Sequence, residues 1–169
     1  MEFKDRLKRQ LLNARQMSER LLSDFKTPEQ WTLQVHPCAN HALWFAGHMG
    51  TVDNFFVSIL DSSKAKPRPD LEEKFGMGSQ PTNRPSDYPP IDSVLDYMKD
   101  RRAALMGILD SLGEEDLRKA TPEGSPDFLP DFGSVFEAAV WHEGLHSGQL
   151  TIARRALGNS PVFTPPPIP

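Results

Sequence analysis

The chain has 169 residues, with 19 Lys and Arg against 23 Asp and Glu, a net charge of −4 and one cysteine. That length fits a single domain with a real core, and the acidic balance supplies no basic field for nucleic acid or an anionic membrane. Cys38, being alone, excludes an internal disulfide and a Cys-rich metal site, and with no signal-like apolar run or membrane-length stretch the expected setting is cytoplasmic.

Phe3, Leu7, Leu11, Ala14, Met17/Ser18, Leu21 and Phe25 recur at near-heptad spacing among charged neighbours, which predicts a first long helix ending before Thr27-Pro28. A second helix is expected after His36-Pro37, with Asn40 as its cap, running to about Leu60. From Asp61 to Pro90 the chain is rich in Pro, Ser, Gly and charge, so it reads as a long connection, with a short helical piece at Glu72–Phe75.

Ile91, Val94, Leu95, Met98, Leu105, Ile108, Leu109 and Leu112 mark a third helix closed by Gly113, and a second Pro-containing connection leads from about Glu114 to Phe132. For the fourth helix, Ser134-Val-Phe-Glu137 reads as a capping box and Gly158 as the left-handed stop. The fold expected is all-α, with four long helices in residues 1–160 and a Pro-rich tail at 161–169.

Within the fourth segment, His142-Glu143-Gly144-Leu145-His146 puts two imidazoles four positions apart, where both can reach one ion from the same helix face. This H-E-x-x-H pattern is shared with zinc proteases, which draw a third ligand from downstream. Ser147–Pro169 contains no His, Asp or Glu, so a third ligand must come from upstream.

His41, Trp44, His48, Phe55 and Ile59 follow the three-and-four spacing of a buried stripe in the second helix, which points His48 inward toward the pair. Three imidazoles buried together would be costly if charged, whereas a divalent ion holds them neutral and satisfies a lone pair on each. Against this stands a hydrogen-bonded core histidine beside Trp44. Trp44, Phe45, Phe55 and Trp141 read as core, and Trp44 also as a pocket wall.

Glu143 is either a general base or a group that orients a ligand imidazole. Gln149, one turn beyond His146, is a candidate for a substrate or orienting hydrogen bond. His41 lies about 10 Å from His48 along the helix, too far to share an ion, and reads as lining a pocket mouth or as a half-exposed helix start. Cys38 reads as inert, and Glu114-Glu115-Asp116 as solvated charge.

Trp44-x-x-x-His48, together with His142-Glu-x-x-His146-x-Gly148-Gln149 and Arg154-Arg155-x-x-Gly158, resembles the DinB-like (YfiT-like) superfamily of metalloenzymes. The resemblance covers nearly the whole chain. It implies an up-down-down-up four-helix bundle holding a divalent metal, often nickel or zinc, on His48, His142 and His146. Relatives of this kind include thiol-dependent transferases and isomerases that use low-molecular-weight thiols, and homodimers are common. The expected activity is that of a metal-dependent hydrolase or thiol transferase acting on a small molecule, the alternative being a non-catalytic metal or ligand binder.

Overall fold

The computed structural model describes residues 2–163. Among them are six α-helices and no strand, only an isolated antiparallel bridge between Ala120 and Asp131. The chain is all-α. Four helices are long, α1 (Phe3–Leu22), α3 (Ala42–Leu60), α5 (Ile91–Ser111) and α6 (Phe132–Ala156), and two are short, α2 (Pro28–Trp31) and α4 (Pro69–Phe75).

Leu7, Leu11, Leu21 and Leu22 bury one stripe of α1, and Arg15 and Ser18 continue it. The helix ends at Leu22 rather than near Phe25, which follows in a turn and packs on Trp31 of α2. Its first turn is capped from a distance: the Phe3 and Lys4 backbone N–H groups donate to Glu114 at 2.9 and 3.1 Å. Glu114 is therefore a helix cap and not solvated charge, its carboxylate lying where the helix dipole favours an anion.

Helix α3 is the centre of the molecule, packing on α5, α6 and α4, and nearly every residue from Ala42 to Thr51 is buried. Glycines allow this. A Cβ on Gly47 would meet the Phe75 ring at 2.2 Å, and one on Gly50 would meet Tyr97 at 2.7 Å. Glycine at these positions lets α4 and α5 lie against the α3 backbone.

Several local expectations are corrected. The cap of α3 is His41, not Asn40: its Nδ1 accepts from the Trp44 backbone N–H at 3.0 Å. The cap of α6 is Asp131, which accepts from Ser134 N–H at 2.8 Å and from its hydroxyl at 2.7 Å, so the helix starts before the supposed capping box. Gly158 follows α6 at φ +85°, the left-handed position assigned to it. Phe55 and Trp141 are not core, being 43% and 67% exposed. Within the tail, Val162 packs against the core, while residues 164–169 lie outside the described residues. No described helix is long and apolar enough to cross a membrane.

Candidate metal centre

Helices α3 and α6 bring His48, His142 and His146 together, with one ligand nitrogen from each lying within 4.8 Å of the others. The Nε2 atoms of His48 and His142 are 3.2 Å apart. Two nitrogens bound to one tetrahedral ion at about 2.0–2.1 Å would be separated by about 3.3 Å, so the spacing suits a shared cation.

The tautomers follow from the partners. His48 Nδ1 is 2.7 Å from the Phe75 carbonyl oxygen, which only accepts, so Nδ1 carries the proton and Nε2 presents a lone pair. His146 Nδ1 lies 3.2 Å from Gln149 Oε1, which also accepts from Asn40 Nδ2 at 3.1 Å. That leaves the His146 Nε2 lone pair free as well. His48 and His146 thus present Nε2 lone pairs to the cluster, and a divalent cation satisfies both together with that of His142 in its Nδ1–H tautomer. The donor set fits such an ion.

Burial holds the imidazoles neutral. Desolvation lowers His48 to about 4, although its hydrogen bond to Phe75 opposes the shift. Desolvation, with the neighbouring His146 and His48, lowers His142 to about 3. His146 is lowered too, again by desolvation, with Gln149 opposing. Trp44 stacks on His48 at 4.3 Å between ring centroids, and its Nε1–H donates to Ser79 Oγ at 2.8 Å.

The expected accessory residues separate. Trp44 walls the cavity over the three histidines, which has a volume of about 900 Å³. Gln149 is tied to His146 and Asn40 and is not among the cavity-lining residues. His41 is 1% exposed, its second nitrogen lies 3.1 Å from Tyr88 Oη, and it lines no part of this cavity. The pocket-mouth and half-exposed readings of His41 both give way to a buried cap.

Glu143 turns away from its neighbour His142 and is fully buried. Its Oε1 accepts from Arg15 Nε at 2.8 Å, and its Oε2 lies 2.8 Å from Arg102 Nη1. Asp53 completes the network, paired bidentately with Arg102 at 2.9 Å and with Arg15 at 3.0 Å. Two guanidinium groups and two carboxylates thus neutralise each other in the interior. Sequence reading missed Arg15, Arg102 and Asp53. The available signal was register: Arg15 stands four residues after Leu11, and Arg102 four after Met98 and three before Leu105, each in line with an apolar stripe.

A search among curated proteins finds no match. The family model of the DinB superfamily matches residues 10–150, a span that contains α3 and the three histidines. With most of its length matched, this all-helical chain belongs to the DinB superfamily.

Proposed function

We propose that the protein is a metal-dependent enzyme of the hydrolase or thiol-transferase kind, acting on a small molecule at a divalent ion held by His48, His142 and His146. The observation that carries this reading is the convergence of three neutral imidazoles, two with fixed tautomers, at the base of an open cavity of about 900 Å³. A divalent ion on three neutral ligands keeps its full charge and supplies Lewis acidity, lowering the pKa of a water or thiol and polarising an electrophile. Nickel and zinc are the ions the family resemblance favours.

The four long helices are read as an up-down-down-up bundle occupying residues 1–160, with the segment between α3 and α5 as its long crossover and the tail from 161 as an appendage. Pairwise packing of α3 on α5 and α6, and of α1 on α6 and α5, supports that arrangement.

The residues around the ion have separate tasks. The Phe75 carbonyl and Gln149 hold the His48 and His146 rings with Nε2 inward, and Trp44 fixes the His48 ring plane. Glu143 acts as a structural anion, because its Oε1 accepts from Arg15 and its Oε2, which has no hydrogen-bond donor, is ion-paired with Arg102 at 2.8 Å in the buried interior. The general-base reading of Glu143 is accordingly set aside.

The test is a panel of esters, amides and thiol-plus-electrophile pairs, assayed with nickel- or zinc-loaded and chelator-stripped protein. Turnover that needs the metal and is lost in His142→Ala supports the enzyme. Stoichiometric metal with no turnover across the panel leaves a non-catalytic binder.

A further inference from the structure

Phe55, Met77, Phe128 and Trp141 are 43%, 96%, 70% and 67% exposed, and all four line the cavity over the three histidines. They come from four places in the chain: α3, the segment after α4, the connection before α6, and α6 itself. Large apolar side chains left in water from four separate segments yet gathered around one cavity mark a surface that a ligand covers.

The polar groups of the wall are mostly committed elsewhere. The Thr51 hydroxyl donates to the His48 carbonyl at 3.0 Å and that of Ser58 to the Phe55 carbonyl at 2.7 Å. Asn54 Oδ1 accepts from Lys66 N–H at 2.8 Å and from Arg101 Nη1 at 3.3 Å. Among the described residues, no Lys or Arg lines the cavity and Glu72 is its one carboxylate. Glu72 is exposed at the wall, and partial desolvation there raises its carboxyl from the ordinary value with no other cause offsetting it.

We infer that the cavity takes an elongated apolar molecule that is neutral or carries a cationic end, with Glu72 as the group that selects for the cation and disfavours an acidic ligand. The inference rests on the metal reading above and narrows it. A thiol cosubstrate rich in carboxylates would meet no cation here except the metal and would approach an unpaired carboxylate. A substrate with an alkyl or aryl body and an ammonium end meets apolar walls along its length and a complementary charge. Glu72 is a specificity residue in this account, with no part in proton transfer.

The test uses cobalt-loaded protein at pH 8 and four probes: 1-methylimidazole, 1-heptylimidazole, 1-(6-aminohexyl)imidazole and 6-(imidazol-1-yl)hexanoate. Each is titrated by its effect on the visible absorption of the metal. The heptyl probe should bind at least about tenfold more tightly than the methyl one, as burial of its chain requires. The amine should bind about tenfold or more tightly than the carboxylate, and Glu72→Gln should shrink that ratio to within about threefold while leaving the heptyl affinity unchanged.

Failure to load cobalt, or no response to 1-methylimidazole, would overturn the metal reading itself. If 1-methylimidazole binds but the heptyl probe gains nothing, the carboxylate matches the amine, or Glu72→Gln leaves the ratio intact, the metal reading stands and this inference fails.

Discussion

Glu143 Oε1 accepts from Arg15 Nε at 2.8 Å in the protein interior, so the residue that follows His142 in the chain faces away from the three-histidine cluster. One step along a helix is about 100° of rotation, enough to place one side chain in the cavity wall and the next in the core. The shared H-E-x-x-H spelling thus conceals a different use of its glutamate.

Replacing that carboxylate should cost stability directly. Glu143→Gln keeps the shape but leaves Arg15 and Arg102 with only Asp53 as a full counter-charge. Breaking a buried pair from one side costs about 3–5 kcal/mol, so urea unfolding of the variant should show a loss in that range. An unchanged midpoint accompanied by lost turnover would instead restore the general-base role.

The approach of α4 to α3 should control the metal through His48. Gly47→Ala places a methyl group 2.2 Å from the Phe75 ring, and Phe75 is the residue whose carbonyl holds His48 Nδ1. Overpacking of about 1–3 kcal/mol opposes the gain of about 1 kcal/mol in helix propensity. Disturbing an outer partner of a ligand histidine costs about 10–100-fold in metal affinity. Competition with a coloured chelator should show that loss in Gly47→Ala while the far-ultraviolet circular dichroism stays helical.

The metal-free protein should lose stability in mild acid. Desolvation depresses His41 to about 4, although the backbone carbonyls of Thr82 and Trp31, as acceptors, oppose the shift. A histidine whose folded pKa lies below its unfolded value near 6.5 stabilises the fold above that pH. The contribution disappears as pH falls from about 6.5 to about 4, because the unfolded chain takes up the proton first. For His41 that amounts to about 3 kcal/mol. His48 and His142 act in the same direction. His41→Asn retains an acceptor for the cap and removes one titrating ring, so urea midpoints between pH 7 and pH 4.5 should fall less steeply than in the parent. An equal slope would place the His41 pKa near its ordinary value.

Asp131 and Ser134 offer a test of the α6 start. Asp131 accepts from both the Ser134 N–H and its hydroxyl, so Asp131→Ala should cost about 1–2 kcal/mol and Ser134→Ala distinctly less. Thermal unfolding of the two variants decides it, and the reverse order would favour a capping box on Ser134.

The capping error shows where the chain was legible. Four long apolar-periodic segments and the positions of His48, His142 and His146 could be read from spacing, because a helix repeats every 3.6 residues and needs no tertiary knowledge to place a face. Caps and surroundings are set by tertiary contacts. Glu114 caps α1 across 111 positions, and α2 depends on a brief Thr27 cap and the burial of Trp31. Phe55 and Trp141 have core-like chemistry but line an open cavity, which composition does not distinguish from a core. Arg15 and Arg102 are not distinguished from surface charge by their neighbours in sequence, because their partners lie 128 and 49 positions away along the chain.

Elemental analysis of untagged protein, beside His48→Ala and His142→Ala, tests the central claim most directly. The geometry predicts about one equivalent of a divalent metal in the parent and essentially none in either variant, since two imidazoles bind far more weakly than three. Folded variants that keep the parental metal content would show that α3 and α6 do not hold a common ion.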